Sequence, residues 1–235
     1  MAKNYLIVFP ILMILVTEIA YAQDLMREHL NTDTNVRSYL ALGDSYTIGE
    51  SVPPEDRYPV QLVNRLRQGG IALEDPVIIA TTGWTTDDLD CEIKASGFDR
   101  DTFDFVSLLI GVNDQYQNKP FENYYFNFAK LLLRAVELAG NVKEHVVVIS
   151  IPDYAFTPFG QNRDAGKISE ELDRYNQVNK QVADYYGISY FDITPISRQG
   201  LQHPELVATD GLHPSGKMYA LWVDLMLKDI MEELR

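Results

Sequence analysis

Apolar residues in this chain fall into two alternating patterns: short, nearly unbroken runs, and longer stretches in which they recur every three to four positions. The runs occupy residues 39–42, 77–80, 105–110, 146–149 and 188–193. Hydrophobicity that is continuous rather than alternating marks strands covered on both faces, as in a parallel sheet. Between the runs lie helical patterns. Pro59 opens one, with Leu62, Val63 and Leu66 on one face and Gly69-Gly70 closing it. Thr85 or Thr86 can cap a second that carries Leu89 and Ile93, with Asp87 and Asp88 in its first turn. A third runs from Phe121 through Tyr124, Tyr125, Phe128, Leu131, Leu132, Ala135 and Leu138 to Gly140. A fourth carries Leu172, Tyr175, Val178, Val182, Tyr185 and Tyr186 and stops at Gly187. The last starts near Ser215 and places Met218, Leu221, Trp222 and Leu225 on one face. Residues 23–36 form a polar lead-in, and 153–167 a loop.

Five strands separated by helices predict an α/β fold: an open parallel sheet in the order 2-1-3-4-5, with right-handed crossovers and helices on both faces. In such a sheet a site forms beyond the carboxyl ends of the strands, where the order reverses between strands one and three. Functional side chains should therefore follow strands. They do: Ser45 follows the first strand, Gly83 the second and Asn113 the third, while Asp210 and His213 lie between the fifth strand and the last helix. Gly43-Asp44-Ser45 puts a hydroxyl where a buried strand empties into a turn, although each of the three is also an ordinary turn former. A serine becomes a useful nucleophile when an imidazole takes its proton and a carboxylate holds the far ring nitrogen. Asp210 and His213, three apart in a loop, can place carboxylate beside ring; His203, with only Glu205 nearby, is the rival base. Amide donors aimed at the developing oxyanion are each worth about 3 to 4 kcal/mol.

Composition narrows the function classes. The 235 residues are 46% hydrophobic and 23% charged, the profile of one soluble globular domain. A net charge of -14 repels phosphate backbones and anionic membrane surfaces, so nucleic acid is not an expected partner. Cys91 is the only cysteine, which leaves no intrachain disulfide and no thiolate cluster; no paired Cys/His spacing or H-E-x-x-H is present, so neither metal nor cofactor is expected. Lys3, the apolar stretch 5–16 and Ala20-Tyr21-Ala22 have the three parts of a secretory signal. They predict cleavage after Ala22, export to the periplasm or the medium, and a mature domain over 23–235 without a stable membrane anchor. The stretch is shorter than the roughly 20 residues of a spanning helix.

Gly43-Asp44-Ser45, Gly83, Gly111-Val112-Asn113-Asp114 and Asp210-x-x-His213 resemble, in order and across nearly all of the predicted mature chain, the four sequence blocks of the SGNH (GDSL) hydrolases. The resemblance implies a flavodoxin-like three-layer sandwich and a serine esterase or lipase. Ser45 would be the nucleophile, His213 the base and Asp210 its orienting carboxylate. The backbone amides of Ser45 and Gly83 with the side chain of Asn113 would form the oxyanion hole. Tyr46 stands where the family's name has leucine, at a position that is not chemical. Asp44 and Asp114 read as hydrogen-bonding supports. Tyr46, Trp84, Tyr116, Tyr154, Phe156 and Phe159 are candidates to line a substrate pocket. The expected substrate is a small-molecule, lipid or glycan ester, acted on by a monomer. Lysophospholipid, thioester and carbohydrate O-acetyl ester substrates remain open. No G-x-S-x-G elbow is present, because Thr47 occupies its last position. Outside catalysis, the same sheet could bind flavin mononucleotide through the hydroxyl-rich segment 45–51, although Asp44 and Glu50 would repel its phosphate; a protein that only binds lipid or glycan is a further alternative.

Overall fold

The computed structural model describes residues 36–98 and 102–235. The predicted signal segment, the predicted cleavage site after Ala22 and the lead-in before residue 36 lie outside the described residues.

Strand β1 (Tyr39–Gly43) is buried at every position and occupies the interior of a five-stranded parallel sheet. Its neighbours are β2 (Val77–Ala80) and β3 (Phe105–Leu109), and β4 (Val146–Ile149) and β5 (Ser189–Phe191) complete the order 2-1-3-4-5. Ser107 interrupts the apolar run of β3 without harm. Its hydroxyl meets Tyr39 Oη at 2.8 Å and Tyr58 Oη at 3.2 Å, so the buried polar atom is satisfied.

Register sets up the site. Gly43 lies level with Ala80 on one side and Leu109 on the other, so the segments after all three strands leave the same edge at the same height. That edge is where the connection turns from β2 on one flank of β1 to β3 on the other, which opens a crevice between diverging loops. Gly43 also lets the strands converge there, since any side chain would collide with the Leu109 carbonyl and Thr47.

Among the described residues, five long helices cover the sheet. Helix α2 (Tyr58–Gln68) packs on the C-terminal α9 (Gly216–Glu233), whereas α3 (Thr86–Ala95) packs on α5 (Phe121–Leu138), and α5 on α7 (Ala165–Tyr186). Thr85 caps α3 in a reciprocal box with Asp88, and Ser215 caps α9.

Of the face predicted for the last helix, Met218 and Trp222 are buried but Leu221 and Leu225 are not. Helix α9 buries Met218, Tyr219, Trp222, Val223, Met226 and Ile230, while Leu221 and Leu225 stand 40% and 42% exposed. The stripe with more large side chains over four turns wins the core. Tyr125 on α5 and Tyr185 on α7 also face outward. Short helices replace several predicted loops: α1 (Ser45–Ile48), α4 (Val112–Tyr116), α6 (Pro158–Gln161) and α8 (Thr194–Ser197). Each is about one turn, too short to show a helical period.

Candidate active site

Ser45 is the first residue of α1, and the helix exists because Asp44 caps it, accepting from Tyr46 N at 3.0 Å. Thr47 and Ile48 donate their amides to the Asp44 carbonyl, both at 3.0 Å. The amide of Ser45 itself has no acceptor within the helix, since the first turn cannot supply one.

His213 arrives from 168 residues further along, in the loop before α9. That loop is shaped by Asp210, whose Oδ1 accepts from the amides of Leu212 (2.9 Å) and His213 (3.0 Å). The fold-back leaves Oδ2 2.6 Å from His213 Nδ1. Nδ1–H donating to this carboxylate leaves Nε2 as an acceptor, and Nε2 lies 3.0 Å from Ser45 Oγ. Ser45 and His213 are both buried to within a few per cent, at 5% and 8% exposed. The Tyr46 ring meets the imidazole edge-on, 5.6 Å between centroids, and Tyr219 Oη donates to the Tyr46 carbonyl at 3.0 Å.

Two carboxyls near the serine are driven in opposite directions. Burial would raise Asp210, but donors from Ser51, His213 and the Leu212 and His213 amides overcome it and bring the group down to about 2. Burial pushes Asp44 up to about 8 against the pull of the Tyr46 amide, with nearby Asp114 adding to the rise. Asp44 Oδ2 has no protein partner. Asp114 is likewise raised by burial, although Thr86 donates to it through its amide (2.9 Å) and hydroxyl (2.6 Å). Asp114 thereby ties α4 to the start of α3.

Ser45, Gly83, Asn113 and His213 share the wall of one cavity of about 250 Å³. Gly83 adopts φ +86°, and the space a side chain would occupy is open. Its carbonyl accepts from Gln117 Nε2 at 2.8 Å, which holds the segment in place. Asn113 Nδ2 donates to the Trp84 carbonyl at 3.0 Å, and the amide group still has a second N–H. Of the aromatics proposed for the pocket, Tyr46, Tyr116, Tyr154 and Phe159 line the cavity. Trp84 and Phe156 do not: both rings pack against the core, and Arg198 lies 5.9 Å from the Phe156 ring. Thr82, Val112, Gln117 and Leu212 complete the wall. Val112 and Leu212 are spacer positions within the sequence blocks, whereas nothing in the sequence singles out Gln117 or Thr82.

The rival base His203 sits 3.7 Å from Glu205, and both are about half exposed. The segment proposed as a phosphate loop is used differently: Thr82 donates to Glu50, and Ser51 to Asp210 at 2.7 Å. Among the described residues no group of three or more His, Cys, Asp or Glu could hold a metal, and no helix is long and apolar enough to cross a membrane.

Known structures share this architecture. A variant of Axe2, an acetyl xylan esterase from Geobacillus stearothermophilus, superposes with a TM-score of 0.63 at 21% identity, covering 83% of this chain and 94% of that one. TesA gives 0.67 at 15% identity, over 84% and 99%. Esterase EstA from Pseudoalteromonas sp., solved with the inhibitor monoethylphosphonate, gives 0.58 at 16% identity, over 83% and 97%. At these identities the likeness establishes the fold. A search of curated proteins finds no significant match. The family model described as GDSL-like Lipase/Acylhydrolase matches residues 41–221. Since that span covers most of the sequence, the chain belongs to the GDSL-like lipase/acylhydrolase family and is a hydrolase of ester bonds.

Proposed function

We propose that the protein cleaves carboxylic esters of small acyl groups through an acyl-Ser45 intermediate. The observation that carries this reading is the unbroken line of hydrogen bonds from Ser45 Oγ through His213 to Asp210, opening on the cavity that Gly83 and Asn113 also face. Ser45 Oγ attacks the ester carbonyl carbon as its proton passes to His213 Nε2. The carbonyl oxygen becomes an oxyanion, stabilised by the Ser45 and Gly83 amides and the free N–H of Asn113. Collapse breaks the bond to the leaving alkoxide, which takes the proton from His213. Water, deprotonated by the same imidazole, then attacks the acyl-serine, and the carboxylic acid departs as the proton returns to Ser45. Asp210 steadies the imidazolium in both halves. No cofactor is needed.

The cavity, at about 250 Å³ just below the roughly 300–1,000 Å³ typical of drug-sized ligand pockets, has room for a short acyl group. Aromatic walls from Tyr46, Tyr116, Tyr154 and Phe159 suit an apolar chain and equally the face of a sugar ring. Removal of O-acetyl groups from a carbohydrate is therefore the second reading, and the kinship in fold with Axe2 agrees with it. The enzyme would act as an exported monomer after loss of residues 1–22.

Chromogenic esters of increasing acyl length, run beside acetylated xylan and a lysophospholipid, test the assignment. Acetyl to butyryl esters should turn over fastest, and Ser45→Ala should be inactive. Preference for long chains would refute the small-acyl reading, and full activity in Ser45→Ala would refute the mechanism. Intact-mass measurement of the exported protein, expected to begin at Gln23, tests the processing.

A further inference from the structure

The geometry points to Ser51 as a further positioning residue of this hydrolase, holding the Asp210 carboxylate in register with the serine it serves. The inference rests on the triad reading above. Ser51 Oγ donates to Asp210 Oδ2 at 2.7 Å, the same oxygen that accepts from His213 Nδ1. With Oδ1 taking the amides of Leu212 and His213, the carboxylate accepts four hydrogen bonds, about as many as its lone pairs allow. It has no free direction in which to turn.

What sets Ser51 apart is where it comes from. The other donors to Asp210 belong to its own loop, so they move with it. Ser51 instead sits six residues after Ser45, on the turn that closes α1, where the Glu50 amide returns to the Ser45 carbonyl at 3.0 Å. It therefore links the carboxylate directly to the nucleophile's element, in parallel with the route through His213. Glu50, one residue earlier, accepts from Thr82 in the segment carrying Gly83. One short turn thus connects nucleophile, carboxylate and the glycine of the oxyanion wall.

The backbone is strained to achieve this. Ser51 has φ +65°, and the other non-glycine residues at positive φ among those described, Asn118 and Asn141, are of the type that tolerates it. Strain held at a residue whose side chain meets a reactive group is the pattern expected where position matters more than stability. Ser51 is exposed, so neither packing nor burial explains the conformation.

Strain and hydroxyl can be separated by two substitutions. Ser51→Gly relieves the backbone and deletes the donor; Ser51→Thr keeps the donor and worsens the backbone. On a short-chain chromogenic ester, Ser51→Gly should lose about tenfold in kcat with KM within about twofold, while its melting temperature stays level or rises. Ser51→Thr should melt lower yet keep a higher kcat than Ser51→Gly. A merely structural role predicts that activity follows stability, so wild-type kcat in Ser51→Gly, or a kcat order that follows the melting temperatures, overturns the proposal. Ser45→Ala, measured alongside, separates the two claims: near wild-type activity there would sink the triad itself, whereas its loss of several orders of magnitude beside a fully active Ser51→Gly would sink only the role of Ser51.

Discussion

Asp44 and Asp210 flank the same serine, and the fold drives their carboxyls to opposite ends of the scale. Asp210 sits in a half-open loop ringed by donors and is brought down to about 2; Asp44 lies under the serine, wholly buried, with one oxygen unpartnered, and rises to about 8. The difference lies in supply of donors against loss of water, because the residue type is the same. One environment favours an ionised carboxylate beside the His213 ring, the other a neutral cap for a helix. Roles within a site follow from such separations.

The most severe way to probe the contrast is to replace each carboxyl by its amide. Asp210→Asn removes the charge and lets the imidazole adopt the wrong tautomer, so kcat should fall about 10⁴-fold in steady-state assays. Asn113→Ala deletes the uncharged donor proposed for the oxyanion, with an expected loss of about 100-fold or more in kcat. Asp44→Asn should be mild by comparison, within about tenfold of wild type, because an amide resembles a neutral acid and caps a helix as well. If the Asp44 and Asp210 amides were equally damaging, the assignment of one as neutral and the other as ionised would fail.

Stability against pH sharpens the same contrast. Between about pH 4 and 8 the folded chain keeps the Asp44 proton that the unfolded chain has released, so this carboxyl makes stability fall as pH rises through that window, by up to about 1.4 kcal/mol per pH unit. Asp210 works the other way: its contribution is present above its ordinary value near 3.8 and is lost as pH falls toward 2. Urea midpoints measured from pH 5 to 8 should decline more steeply for wild type than for Asp44→Asn. Parallel slopes would mean that Asp44 is ionised in the folded protein. The smallest effect belongs to the outward face of α9, where Leu225→Ser should change stability by no more than about 0.5 kcal/mol, against about 3–5 kcal/mol for Trp222→Ala.

The contrast between the carboxyls was not legible in the sequence, although the residues were. Continuous apolar runs reveal strands because a doubly covered sheet tolerates little else, and residues following those strands must gather at one edge. The positions of Ser45, Gly83, Asn113, Asp210 and His213 after the strands thus point to one edge, where four of them share a cavity wall and Asp210 meets His213. Single turns such as α1 and α4 leave no periodic trace. The direction of a ring is also unwritten: Trp84 supplies its carbonyl to Asn113 while its side chain joins the core. Ser51 looks like any loop serine, because its partner lies 159 residues away. Leu221 and Leu225 misled because two apolar stripes overlap on α9, and only packing against α2 chooses between them.

Covalent labelling by a fluorophosphonate probe, located by peptide mass spectrometry and timed in wild type and in the Asp44→Asn and Asp210→Asn variants, tests the central claim most directly. The adduct should sit on Ser45, forming at a similar rate in wild type and Asp44→Asn and orders of magnitude more slowly in Asp210→Asn. A folded wild-type protein that stays unlabelled, or carries the adduct on another residue, would contradict it.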